Sequence, residues 1–262
     1  MYNIFFYILF GVLTLFFLYF FATTKLTILA NRIFPSRNAA TSHIYWIYRN
    51  KWLIRLTDRQ AVISAILLFQ YNKLVNRIVD ELRHSLLQGK NVMQASCAFG
   101  DVTPKIVSEC IRQEVKDIVI TDINDNELLH IRSKLGDNQK HCRFLKEDTL
   151  YMQHEDNTFD VVIMFFLLHE LPNEKKYRAL EEAARVLRPG GKLIIGEFHK
   201  PKPFVLKVLG WIYFNTFEPY ALQVWENENP SRILKENIKA DWDIKTETCF
   251  FDNYQTIMAT KK

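Results

Sequence analysis

The chain has 262 residues and a formal net charge of +5, with 34 Lys and Arg against 29 Asp and Glu, a length that holds one α/β domain with a full core behind a short N-terminal segment. Its four cysteines, Cys97, Cys110, Cys142 and Cys249, are dispersed without a CxxC pair, which excludes a zinc framework or disulfide scaffold and leaves reduced, mostly buried thiols. No repeat or low-complexity linker interrupts the chain.

The first segment, Ile4 to Ala22, is uncharged and rich in Phe and Leu, and about 20 such residues cross a bilayer core. It has neither a basic leader nor a small-residue cleavage site, and a transit peptide would be Arg-rich and amphipathic. Residues 1–24 are therefore expected to form a transmembrane anchor. Residues 25–84 follow as a basic juxtamembrane and helical segment, with Lys25, Arg32, Arg37, Arg49, Lys51, Arg55 and Arg59 against the single acid Asp58. By the positive-inside rule, this one-sided charge puts the body of the protein on the cytoplasmic side of a bacterial inner membrane or the matrix side of a mitochondrial one. Tyr45, Trp46, Tyr48 and Trp52 suit that interface. The anchor and anionic head groups account for the basic stretch, so no nucleic-acid partner is expected.

Apolar residues recur at helical spacing from Arg55 to Leu87, predicting one or two helices. The domain proper is placed at 85–262. Asn91 to Ala95 reads as the first strand of a doubly wound α/β domain, followed by a turn and a helix opened by Thr103 as cap and Pro104 in its first turn. A nucleotide-like ligand lies over such a strand end and helix N-terminus. Aligned on the loop V-L-D-x-G-x-G-x-G of S-adenosylmethionine (SAM) enzymes, Gln94 takes the acidic position, Ser96 and Ala98 take glycine positions, and Gly100 takes the last one; Asp101 follows.

Strand two is Asp117 to Thr121. Asp122, about 22 residues beyond Gly100, is where such folds hold ribose hydroxyls, with Ile123 next to it. A helix from Glu127 to Leu135 and a strand from Cys142 to Leu145 follow, then Asp148 and Thr149, which can reach an adenine amine. Phe159 to Phe166 is a continuous apolar run, as in a parallel strand buried on both faces, and it ends in Leu168-His169-Glu170. A helix over Lys175 to Leu187 leads through a turn at Arg188 to Gly191 into strand five, Lys192 to Glu197, which ends in His199. Trp242 to Phe250 and Tyr254 to Thr260 form a closing antiparallel hairpin.

Residues 91–200 resemble class I SAM-dependent methyltransferases, through the first loop, Asp122, Asp148, the FDVV strand and RVLRPGGKLII. GKLIIGEFHKP is similar to the strand-five motif of the quinone C-methyltransferases. The combination of QASCAFGD, FFLLHELP, EFHKP and FEPYALQVW resembles the rhodoquinone biosynthesis proteins over residues 85–226. The expected fold is thus α/β, a class I SAM-methyltransferase-like (Rossmann-like) seven-stranded sheet with an N-terminal transmembrane helix.

The resemblance implies conversion of ubiquinone to rhodoquinone, a ring methoxy group giving way to an amine, with SAM as amino donor and a divalent metal, manganese, assisting. It puts SAM against Gln94, Ser96, Gly100, Asp101, Asp122, Ile123, Asp148 and Thr149. The residue types after strands four and five make His169, His199 and Glu170 the candidate catalytic residues, and His169, His199 and Glu197 the candidate metal ligands; a histidine in such a place also serves simply to cap a loop. Phe204 to Trp225 is aromatic enough for a lid over an isoprenoid quinone at a membrane. Other quinone-biosynthesis proteins are candidate partners. Two alternatives stand beside this reading: a SAM-dependent methyltransferase of a quinone or other lipid, and a non-catalytic quinone- or SAM-binding scaffold.

Overall fold

The computed structural model describes residues 51–262 except 219, 227 and 228, together with 6–8, 10–12, 14, 15, 18, 19, 22 and 25 near the N-terminus. Most of the expected anchor and of the basic stretch behind it lies outside the described residues. Those described between 6 and 25 are helical, and Lys25 donates to the Asn215 side chain at 3.0 Å. Among the described residues, no helix is long and apolar enough to cross a membrane.

The sheet has seven strands: β1 (Asn91–Ala95), β2 (Asp117–Asp122), β3 (Cys142–Lys146), β4 (Phe159–Phe165), β5 (Leu187–Phe198), β6 (Trp242–Cys249) and β7 (Tyr254–Lys261). Their order is β3-β2-β1-β4-β5-β7-β6. The first five are parallel and β7 runs antiparallel to β5 and β6. Residues 147–158 join β3 to β4 without a helix, and the other three parallel crossovers pass through helices. These are α4 (Val102–Arg112), α5 (Asp125–Leu135) and α6 (Asn173–Val186); α1 (Lys51–Thr57), α2 (Gln60–Ile66) and α3 (Tyr71–His84) precede β1, and α7 (Phe204–Thr216), α8 (Ala221–Glu226) and α9 (Pro230–Glu236) follow β5.

Because side chains alternate across a strand, the parallel strands feed two cores. Val92, Ile118, Ile120, Val161, Ile163 and Ile194 face α3, α4 and α5. Met93, Val119, Val162, Met164, Leu193 and Ile195 face α6 and α9 on the other side. Helix α3 is integral to the first core, with Tyr71, Leu74, Val75, Ile78 and Leu82 fully buried. Strand order reverses between β1 and β4, and ligands of such sheets lie outside the carboxyl ends there.

Three boundaries depart from expectation. Arg188 to Gly191, expected as a turn, lies within β5, where the pairing with β4 shifts register between Phe159 and Val161 and Gly190 takes φ +78°. Helix α4 begins at Val102 without a side-chain cap: the Thr103 hydroxyl is occupied by the Gln94 amide at 2.9 Å. Helix α9 has no counterpart among the expected elements.

Candidate active site

Two clusters meet over the switch point. The first is the β1 loop. Ser96 takes φ +74° and Gly100 φ +80°, so a serine holds a left-handed backbone that ordinarily costs an L-residue about 1–2 kcal/mol. Its neighbours offset this. The Ser96 hydroxyl lies 3.2 Å from Asp122 Oδ2, and the Cys97 N–H donates to the same oxygen at 2.8 Å. Asn124 N–H donates to Asp122 Oδ1 at 2.7 Å. Asp122 is therefore fixed at the end of β2 against the loop, as the spacing predicts. Burial pushes its carboxyl up to about 6, against the N–H groups of Asn124 and Cys97, which pull it down.

Gln94 behaves differently from an acid in that place. It is buried, and its amide donates to Ser96 O at 3.1 Å and to Thr103 Oγ1 at 2.9 Å, bracing the loop from beneath. Its Oε1 is buried without a hydrogen bond. Asp101 pairs with Lys105 at 2.9 Å, and Asp148 Oδ1 accepts Leu150 N–H at 3.0 Å, closing the turn after β3. Thr149 and Ile123 are half-buried beside them.

A clamp from outside the parallel sheet holds the same loop. Asp58 Oδ1 accepts Gly100 N–H at 2.6 Å, while the Asp58 carboxylate pairs with Lys134 at 2.6 Å and bonds His130 Nε2 at 2.7 Å. Lys134 also donates to the Gly100 carbonyl. Tyr71 Oη accepts Val102 N–H at 2.8 Å and donates to Phe99 O at 3.1 Å. A Cβ on Gly100 would sit 2.2 Å from that oxygen, so this is the one position of the loop that must remain glycine. Sequence reading misses the clamp; its one visible signal is Asp58, alone among seven basic residues.

The second cluster follows β4 and β5. Phe166 turns the chain at φ +52° into a short 3-10 turn, Leu168–Glu170, which buries His169 to 5% exposure. Its Nδ1 lies 3.0 Å from Glu197 Oε1, and its N–H donates to Glu197 Oε2 at 3.2 Å. Nε2 lies 3.8 Å from Glu218. Burial alone would push the imidazole down, but Glu197, Glu218 and Glu170 outweigh it and hold it at about 9. A cationic His169 is therefore an acid and a hydrogen-bond donor at neutral pH.

Aromatic rings close this cluster: Phe198 packs edge-on at 4.9 Å from both His169 and Phe214, and Phe214 continues to Trp225. Lys176, fully buried, donates to Leu171 O at 2.6 Å, Gln223 Oε1 at 3.0 Å and Tyr220 O at 3.2 Å, tying this roof to the His169 turn.

His169, Glu197 and Glu170 are thus together, whereas His199 is directed elsewhere: its Nδ1 donates to Asp252 O at 2.7 Å and its backbone N–H to Asn253 O at 2.9 Å. Among the described residues, no three His, Cys, Asp or Glu are grouped to hold a metal ion. The donor set also fits one poorly, since His169 Nδ1 is engaged by Glu197 and His199 Nδ1 by Asp252 O, so the two imidazoles do not converge.

This sheet order and loop are those of the class I SAM methyltransferase fold. A SAM-dependent methyltransferase from Aquifex aeolicus aligns with TM-score 0.54 and 19% identity over 80% of this chain and 97% of that one. The magnesium protoporphyrin IX methyltransferase of Synechocystis PCC 6803, solved with bound SAH, aligns with TM-score 0.52 and 21% identity over 73% of this chain and 83% of that one. Residues 54–254 match the ubiE/COQ5 methyltransferase family, and the chain belongs to that family. The ubiquinone/menaquinone biosynthesis C-methyltransferase UbiE of Ectopseudomonas mendocina is 34% identical over 60% of this chain and 61% of its own length, less than two thirds of that relative. The enzyme of the same name from Idiomarina loihiensis is 30% identical over 71% of this chain and 73% of its own.

Proposed function

We propose that the chain is a SAM-dependent transferase acting on the ring of a polyprenyl quinone such as ubiquinone. The observation that carries the reading is the buried His169–Glu197 pair, set at the strand ends beside a loop braced on Asp122. The residues present fit SAM: Asp122 to take ribose hydroxyls, and buried oxygens on Thr121, Asp101 and Glu127 without hydrogen bonds. When bound, SAM supplies an electrophilic methyl on a sulfonium and an α-amino group. In methyl transfer a hydrogen-bearing carbon of the reduced ring gains the methyl and loses its proton, with His169 holding a ring oxygen by a hydrogen bond; in amine transfer His169 protonates the ring oxygen as the amine adds, and the methoxy group leaves as methanol. Glu197 keeps the imidazole charged and aimed, and the Phe198, Phe214 and Trp225 roof excludes water.

Methyl transfer to a ring carbon is the reaction that family membership supports. One observation favours the second reading, replacement of a ring methoxy by an amine. The acid that would pair with the amino group is Gln94, whose amide is spent on the loop itself; an amine without that carboxylate is more readily neutral, and only a neutral amine is a nucleophile.

The full chain, expressed in a ubiquinone-producing host and fed SAM labelled at nitrogen and methyl, tests both. A quinone heavier by one labelled methyl establishes methyl transfer. One in which labelled nitrogen replaces methoxy establishes amination, and no altered quinone of either kind overturns the proposal. Asp122→Ala is expected to weaken SAM binding by about 1–3 kcal/mol. The single-pass anchor at residues 1–24, with the domain on the cytoplasmic or matrix side, belongs to the same proposal, because the substrate dissolves in the bilayer.

A further inference from the structure

Glu127 enters the scheme above only through its orphaned oxygen, yet it is the most anomalous carboxyl group near the site. As the third residue of α5 it would ordinarily point to water, with the helix N-terminus stabilising its charge. Instead it is 5% exposed, and its Oε1 is buried without any hydrogen bond.

The charged groups that act on it come from every element around the loop: Asp122 at the end of β2, Glu170 in the turn after β4 and Asp58 behind α1, all acidic, with Lys134 on its own helix opposing them. The Cys97 thiol also feels Glu127, and burial first, then Asp122 and Glu127, keep it protonated. Lys134 offsets the acids only in part, because its ammonium is committed to Asp58 at 2.6 Å and to the Gly100 carbonyl. Asp122 and Glu127 therefore act on each other beside the β1 loop, and the cation that acts on Glu127, Lys134, is shared with Asp58. In the ligand-free protein Glu127 meets this by remaining protonated: burial, then Asp122, Glu170 and Asp58, push it up to about 8.

We propose that Glu127 is the counter-ion for the positive charge of the bound cofactor, exchanging its own proton for that charge. This rests on the SAM reading above. It follows from the buried, orphaned oxygen and the acids beside it: a cation at Oε1 would give the oxygen a partner and relieve its repulsion by Asp122 and Asp58, whereas a neutral donor would do only the first. The charge comes from the sulfonium or from the α-ammonium. S-adenosylhomocysteine keeps only the latter, which separates the two sources. Sequence reading gives no hint of this role, because Glu127 looks like any acid in the first turn of a helix.

Calorimetry of SAM binding to the full chain, in buffers of different ionisation enthalpy between pH 6.5 and 9, tests the exchange. Wild type is expected to release close to one proton at pH 7 and almost none at pH 9, where Glu127 is already ionised. SAM affinity should correspondingly rise with pH by up to tenfold per unit below pH 8 and then level. Glu127→Gln, with its fold checked by circular dichroism, is expected to release no proton, to bind SAM about tenfold more weakly at pH 8.5, and to show a flat pH dependence. Proton release with S-adenosylhomocysteine assigns the charge to the ammonium, and release with SAM alone assigns it to the sulfonium. If Glu127→Gln binds SAM with wild-type affinity and proton release, the counter-ion role is overturned while the SAM reading survives. If wild type binds no SAM, both fall.

Discussion

Replacing Glu197 by glutamine isolates what makes His169 an acid. The side chain keeps its size and an oxygen to accept the 3.0 Å bond from Nδ1, but loses its charge. An imidazolium that persists to about pH 9 instead of 6.5 is favoured by about 3.5 kcal/mol at about 1.4 kcal/mol per pH unit, and this surplus remains after burial has already opposed it. Glu197 contacts the ring at 3.0 Å and is the largest of the causes that raise it, whereas Glu218 lies 3.8 Å from Nε2. Without it, burial regains the upper hand, and the midpoint of His169 is expected to fall by two pH units or more, to about 7 or below. Proton NMR of the ring Hε1 across pH 5 to 10 reads the midpoint directly. If His169 is the acid of the reaction, the alkaline limb of the activity profile moves down by the same amount. A midpoint that stays near 9 in the variant would show that the imidazolium owes its stability to something other than Glu197 and would remove the pair from the mechanism.

The ligand-free protein should lose stability as pH rises from about 5 to 9. Asp122, Glu127 and His169 all hold protons more tightly in the folded chain, at about 6, 8 and 9 against 3.8, 4.5 and 6.5. Each contribution is complete below the unfolded value and is lost through the folded one, at up to about 1.4 kcal/mol per pH unit; urea midpoints that are flat or rise from pH 6 to 8.5 would contradict this. Tyr71→Phe removes the acceptor of a buried N–H and the donor to Phe99 O, for a loss of about 2–4 kcal/mol in denaturant unfolding; a loss under about 0.5 kcal/mol would mean the clamp is redundant. Deleting residues 1–24 is expected to leave a folded domain attached to membranes only through salt-sensitive contacts, and attachment that resists high salt would point to the exposed face of α7, with Phe204, Val205, Leu209 and Trp211.

The sheet was legible because parallel strands buried on both faces leave long apolar runs, and β1 begins and ends where the run predicts, at Asn91 and Ala95. Asp122 was legible because its place depends on chain distance alone. What escaped depends on contacts between distant segments. Asp58 and Gly100 are 42 residues apart and Asp58 and Lys134 are 76 apart, and no local pattern encodes their meeting. His169 and His199 look equivalent in sequence, each after a strand and beside a carboxylate. Only the antiparallel return of β7, which brings Asp252 O against the His199 ring, separates them. Thr103 is a good cap by type, yet the neutral Gln94 beneath the loop claims its hydroxyl first.

The loop's departures from the glycine pattern are mutually consistent once these contacts are considered together. A serine in the left-handed region is strained, but its hydroxyl lies against Asp122, a bond that no glycine makes. A glutamine in the acidic position provides no charge for a ligand, but its amide holds the Ser96 carbonyl in the conformation that the serine needs. Asp58 and Tyr71 then fix the far end of the loop at Gly100. Conformation that glycine would allow is here imposed by side chains, so the loop is held in shape before a ligand arrives. The carboxyl group absent from β1 has a counterpart in Glu127, buried at the start of α5. The acid position beneath the loop is thus taken by a neutral amide that braces it, and the carboxyl groups around the loop come instead from β2, α5 and the turn after β4.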